Sequence, residues 1–408
     1  MSPKFETLSS LKQPGFRVYL GMFLSQMAAG DMRTVAQSLL IYRLTGSVAL
    51  LGVLALVYAV PSILLPLVGG VIADRLPKKQ VINYGQTVAL LPPLIVAVSL
   101  SLGFLSAERA GSWWILLAAT FVNSCTFGLT TPARTAVISE LVSKDHIMNA
   151  ISLRSTSYNI LHLAVPALAG VIIDRFGFAF VYYCMAFLSF IGLIFTLYLP
   201  PIGIVKIKSE GAISQLKDGF KYIRSESHIL FILVFTLVTA ILMTPYNRLM
   251  PVYVDDILKV GATGYGLLLS ASAIGGIVGS LVIASLPSRK RGILLLSDIT
   301  VLGIALVGFA FSRNWYFSLA LIVLVGLVQP ARTALCNSMV QSYTDPNYQG
   351  RVMSLYSLQD GISSLGGFIA AMVAVAIGTP WTVGSFAMAM VLLSILTMVF
   401  LPRIRKLD

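Results

Sequence analysis

Four charged side chains fall inside stretches otherwise too apolar to hold them: Asp31, Arg33, Arg248 and Asp360. A charge held in hydrocarbon costs about 2.5–3.5 kcal/mol or more, so such residues serve a purpose. Proton carriage and ion pairing are the chemistries open to them. Desolvation favours the neutral acid, so a buried carboxyl can load a proton on one side of a barrier and release it on the other. Asp360 has no basic neighbour at helical spacing and fits that role. The alternative for it is a permanently protonated carboxyl bonded to the next helix. Asp31 and Arg33 lie two positions apart, about 200° around a helix, so they face different neighbours. Gln26, Arg33 and Gln37 share one stripe, a polar face suited to a water-filled cavity. Asp31 shares its stripe with Leu24, Met27, Val35 and Ser38, a face suited to helix contact.

The elements that position these groups are membrane spans. Of 408 residues, 57% are apolar and 11% charged. A soluble domain carries about 25% charged residues, so a water-soluble fold is excluded. The chain reads as an all-α membrane protein with twelve transmembrane helices, at about 17–44, 48–73, 81–105, 113–137, 149–173, 178–200, 229–255, 263–286, 292–311, 315–339, 350–376 and 380–402. Each is long enough to cross ~30 Å of hydrocarbon. The first run is too long for a signal-peptide core and no small-residue cleavage site ends it, so it reads as a retained span. Pro200-Pro201 opens a polar connection whose end is expected to form an amphipathic helix on the membrane surface. Residues 1–200, 201–228 and 229–408 therefore read as a six-helix bundle, a cytoplasmic linker and a second six-helix bundle.

The net charge of +13 is an orientation signal, and no basic face with interleaved aromatics points to nucleic acid. With both termini inside, cytoplasmic ends and loops hold 22 of the 29 basic residues and outer loops hold 5. Arg134 and Arg332 are counted in the cytoplasmic set, and Arg33 and Arg248 stay in spans. A shift by one span would scramble this split. The expected location is the plasma (inner) membrane. Cys125, Cys184 and Cys336 lie in apolar segments without disulfide or metal spacing. His146, His162 and His228 have no paired ligand spacing; His162 could titrate, but reads first as a hydrogen-bonded imidazole. No cofactor or metal is expected, and neither a phosphate-cradling glycine loop nor a His/Glu metal helix marks an enzyme.

The loop after the second span reads Gly69-Gly70-Val71-Ile72-Ala73-Asp74-Arg75-Leu76-Pro77-Lys78-Lys79. Its ionisable groups require water, and its three basic residues place it in the cytoplasm. The two glycines would admit another backbone closely. An internal repeat accompanies it: Pro132-Ala133-Arg134-Thr135-Ala136 recurs as Pro330-Ala331-Arg332-Thr333-Ala334, and Leu76-Pro77 before Lys78-Lys79 is echoed by Leu286-Pro287 before Arg289-Lys290-Arg291.

The loop resembles the signature loop of the major facilitator superfamily, with Pro77 where glycine is usual. Pro132 to Gly177 and Gly350-Arg351-Val352-Met353-Ser354-Leu355-Tyr356 resemble the macrolide- and siderophore-exporter branch of that superfamily. Two features depart from the exporters. The fifth-span signature survives only as Val165-Pro166-Ala167-Leu168-Ala169-Gly170, and Asn123 stands where many drug:proton antiporters carry arginine. The resemblance implies two pseudo-symmetric six-helix bundles with a substrate path between them. It makes Asp298 peripheral and sets Asp31 near Arg248 as a static or proton-sensitive pair. It also makes Gly70, Asp74, Arg75, Lys78, Lys79 and Arg351 a cytoplasmic gate, with Asp74 meeting the start of the eleventh span near Arg351. Cavity-lining positions would include Gln26, Gln37, Tyr58, Asn123, Tyr158, Asn159, Tyr246 and Asn247, which suit an amphipathic ligand.

The function implied is a secondary active transporter working by alternating access. It reads as a proton-coupled efflux antiporter for a drug- or siderophore-like amphipathic small molecule, multidrug exporters included. The alternative is a same-fold carrier of a lysolipid or other metabolite without strict proton coupling. A receptor or scaffold would not need the intramembrane charges. The expected partners are substrate, protons and membrane lipids, with a monomer as the working unit.

Overall fold

A computed structural model describes residues 8–201, 212–285, 291–346 and 348–400, and the side chains at 67, 212–217, 354 and 360 lie outside that description. The side chain of Asp360 and the Leu286–Lys290 echo therefore fall outside the described residues. So do most of the polar connection after Pro201 and the extreme termini.

Described residues form helices, turns and no strand. Ten helical stretches are long and apolar enough to cross a membrane. One of them, Lys144–Leu197, is two spans joined: within the helix Ile147–Leu197, Gly177 has φ 81° and ψ 173°, where the chain turns. A side chain would strain that backbone. The helix Pro14–Thr45, whose charges lower its hydropathy, brings the spans to twelve among the described residues. In order, the others are Val48–Arg75, Lys78–Ser101, Trp114–Leu141, Ser227–Arg248, Gly261–Ser285, Arg291–Phe311, Trp315–Tyr343, Gln349–Ser357 with Gln359–Ile377, and Thr379–Phe400. Backbone groups in lipid must be satisfied within the segment, which is why only helices fill this chain. Apolar side chains also face outward: Leu64, Ile95, Phe187, Leu281, Ile304 and Leu392 are all exposed.

The chain forms two compact units. The first runs to Leu44 and from Val60 through the sixth span; the second joins Thr45–Ala59 to the spans from the seventh onward. The first unit's core includes Phe16, Tyr19, Met22, Ile82, Ala133 and Val137. In the second, glycines form a seam: Gly275 and Gly279 of the eighth span lie against backbone of Val323 and Leu327 in the tenth. Such small-residue contacts hold helices together where water does not drive association.

The helix Ala212–Ser225 belongs to the second unit. Its buried face, Gly219 and Ile223, meets protein. Gly219 lies against Arg351, and the ring of Tyr222 stacks on Tyr348 with centroids 4.1 Å apart.

The glycine pair ending the second span divides its labour. A Cβ on Gly69 would sit 2.5 Å from the carbonyl oxygen of Leu129 in the fourth span, whereas a Cβ on Gly70 would meet nothing within 4 Å. Gly69→Ala is therefore expected to destabilise the protein by about 1–3 kcal/mol, the usual cost of overpacking. Gly70→Ala should stay within about 0.5 kcal/mol of wild type. Thermal midpoints of the two variants in detergent check this, and equal midpoints would refute the close approach.

Candidate functional site

The first unit gathers polar groups along two stripes of the first span. On one stripe, Asp31 is buried (7% exposed), and its Oδ1 lies 3.0 Å from Nδ1 of His162 in the fifth span. Its Oδ2 is buried without a hydrogen-bond partner. His162 stacks on Tyr158 one helical turn earlier, at 5.6 Å. Tyr158 meets Phe23 edge-on, and Arg154 lies over the Phe23 ring at 4.7 Å. Arg154 Nη1 donates to the Tyr19 hydroxyl at 3.4 Å. Fifth-span residues 154, 158 and 162 recur every four positions, so helix geometry alone aligns them on one face. Within its own unit, Asp31 has His162 as a partner.

On the other stripe, Gln26, Arg33 and Gln37 line a cavity of about 90 Å³ with Asn123, Arg134 and Tyr182. Arg134 Nη1 donates to Gln26 Oε1, and Gln26 Nε2 donates to Gln86 Oε1 at 3.3 Å. Gln37 Nε2 bonds Thr120 Oγ1, and Asn123 Nδ2 donates to the Ala119 carbonyl at 3.1 Å. Arg134 is only 6% exposed, although its sequence position placed it among the cytoplasmic ends. It stands seven residues before the end of its helix, about 10 Å inward at 1.5 Å per residue. Its repeat partner Arg332, 5% exposed, is buried in the tenth span and acts electrostatically on Asp298. Both arginines leave the set of solvated orientation charges.

In the second unit, Arg248 Nη2 donates to Ser364 Oγ at 3.1 Å, and its guanidinium lies 5.9 Å from the Tyr58 ring centroid. Gly367 of the eleventh span faces the Arg248 stem. Tyr246 is buried, with hydrogen bonds to Asn247 and Ser272. Asn247 and Asn159 are both exposed. Of the eight anticipated cavity residues, three therefore gather in the first unit's cavity. The other five lie outside it.

The anticipated gate residues also have local partners. Lys78 is buried and pairs with Glu140, and Lys79 Nζ donates to the carbonyls of Leu197, at 3.0 Å, and Leu199. These lysines tie the loop to the fourth and sixth spans as well as carrying an orientation charge. Arg351 Nη1 lies 3.7 Å from Asp218 Oδ2 on the connecting helix. Asp74 is half-buried and Arg75 exposed. No cluster of three or more His, Cys, Asp or Glu able to hold a metal occurs among the described residues.

The family model described as transmembrane secretion effector matches residues 5–408. The chain belongs to this family of the major facilitator superfamily. Its relatives include the enterobactin exporter EntS of Shigella flexneri, 26% identical over 98% of this chain and 95% of that protein. The staphyloferrin A transporter of Staphylococcus aureus is 24% identical over 88% of each. Among solved structures, the nucleoside transporter NupG superposes with a TM-score of 0.75 at 16% identity, over 95% of this chain and 99% of that one. A peptide transporter, POT, in complex with sulfate gives 0.73 at 12% identity, over 96% and 95%. At those identities the structures speak for the fold alone. The chain is thus a multi-pass membrane transporter of the major facilitator type, as the signature loop and the stretches after Pro132 and Gly350 had implied.

Two features of the site differ from what the sequence implied. His162 carried no spacing signal toward Asp31, because 131 positions separate them. Arg134 and Arg332 did carry one: the same arginine recurs in the same pentapeptide of both halves, which an orientation charge does not require.

Proposed function

We propose that this secretion-effector family member is a proton-coupled exporter of a siderophore-like amphipathic small molecule, working by alternating access in the inner membrane. The observation that carries the proton coupling is the Asp31–His162 contact at 3.0 Å inside two spans. It joins two side chains that can exchange a proton, one of them buried, and leaves an acid oxygen without a partner. Histidine is the side chain whose unperturbed charge change falls between about pH 5 and 8. The relatives supply the direction and the substrate class. Asp360 and Arg248 are assigned supporting roles in coupling, and Asp74, Arg75 and Arg351 a gating role at the cytoplasmic face. The working unit is a monomer with both termini in the cytoplasm. Basic residues remain strongly biased to that side even without Arg134 and Arg332.

The test is purified protein in vesicles with an internal pH dye and an imposed pH gradient. It is challenged in turn with siderophores, macrolides and lysolipids. Gradient-dependent movement of an amphipathic chelator with opposite proton flow is the expected result. Lysolipid movement indifferent to the gradient would overturn proton-coupled export in favour of a facilitative carrier.

A further inference from the structure

In the first unit Arg134 lines the cavity together with Arg33, and no residue of the cavity lining is acidic. Beside Arg134, Gln86 has its Oε1 taken by Gln26 and its Nε2 buried with no partner. Nε and Nη2 of Arg134 and the Tyr182 hydroxyl are likewise buried without partners. Unpaired buried donors around a charge without a counter-charge are costly.

From this we infer that the cavity binds one small free monoanion, of chloride or formate size, held by Arg134 with Arg33 and Tyr182 around it. Guanidinium donors bond anions more strongly than neutral acceptors, and the anion would take up the Arg134 donors that the protein leaves unpaired. At about 90 Å³ the space exceeds what one water needs. It is well below the roughly 300–1,000 Å³ of a drug-sized ligand site, so the exported molecule is not the occupant.

The experiment uses the full-length purified protein at fixed sodium, with chloride, formate or gluconate as the anion. A ligand that binds only the folded state raises the thermal midpoint with its concentration. Chloride and formate are expected to raise it, while gluconate, too large for the cavity, leaves it flat. Radiolabelled chloride should bind once per chain. Arg134→Gln should weaken it by about tenfold or more through loss of charged hydrogen bonds. Asn123→Asp, which puts a carboxylate at the cavity wall with little change of volume, should also abolish the chloride response. That variant carries the test if Arg134→Gln does not fold. Equal midpoints in chloride and gluconate would overturn the inference. So would an undiminished chloride response in Asn123→Asp. Neither readout requires transport, so the site stands or falls independently of proton-coupled export.

Discussion

Asp31→Asn is expected to stop gradient-driven export while leaving substrate exchange across the membrane intact. The amide keeps the size of the side chain and can still bond Nδ1 of His162, now 3.0 Å from Oδ1, but it carries no proton through the cycle. The rate under a pH gradient should fall by at least about a hundredfold, the low end for removing a group that moves a proton in a rate-determining step. Exchange of labelled for unlabelled substrate moves no net proton, so it should persist. That split separates a coupling defect from misfolding, which would remove both. His162→Gln is the companion variant. It retains a hydrogen-bonding partner for Asp31 and loses titration, so export should persist at reduced rate with a flattened pH profile between about pH 5 and 8. Asp360→Asn extends the series to the eleventh span. Should Asp31→Asn and Asp360→Asn both export at the wild-type rate under the gradient, coupling through these acids is wrong.

Much of the fold was legible because lipid imposes few solutions. Apolar runs of about twenty residues can only be spans, and the skew of basic residues set the count. The repeated Pro-Ala-Arg-Thr-Ala showed that the design occurs twice. Asp31 was also visible, since a carboxylate in such a run has no innocuous reading. Its partner was not. Helix geometry tells which face Asp31 occupies on its own span, but nothing local tells which face of the fifth span comes to meet it. Arg134 and Arg332 were hidden for a different reason. An arginine seven residues from a helix end is within reach of water by length alone. Whether it reaches water depends on what the neighbouring helices bury, here Gln26 and Gln86 around Arg134. The lysines of the signature loop had the converse ambiguity: orientation explained their charge, and only the structure revealed Glu140 and the carbonyls of Leu197 and Leu199 as their partners. The connecting helix looked suited to a membrane surface because its sequence is amphipathic; that Gly219 and Tyr222 fit the start of the eleventh span was not legible, since nothing local names a helix's packing partner.

Arg332→Gln is expected to be the most destabilising single charge change in the second unit, and Asp298→Asn should rescue it. Arg332 is buried, with Nε and Nη1 unpaired, and Asp298 Oδ2 is buried and unpaired as well. Burial bears on the Asp298 carboxyl more than the field of Arg332 does, so Arg332 is the charge at stake and Asp298 is coupled to it through that field. Losing one of two coupled buried groups costs up to about 3–5 kcal/mol, whereas replacing both with neutral groups is often close to neutral. Unfolding of the two single variants and the double variant in a detergent titration measures this directly. The double variant should lie within about 1 kcal/mol of wild type if the coupling is as described, since contacting residues in one network are non-additive. Strictly additive single effects would mean that Asp298 and Arg332 are independent, and Asp298 would then be as peripheral as its place in the ninth span implied. The same logic separates the two halves of the repeat. In the first unit no acid stands beside Arg134 to be neutralised with it. A neutral double replacement of Arg134 and Gln86 should therefore give no rescue comparable to that of the second unit, because the compensating charge there has to come from solution.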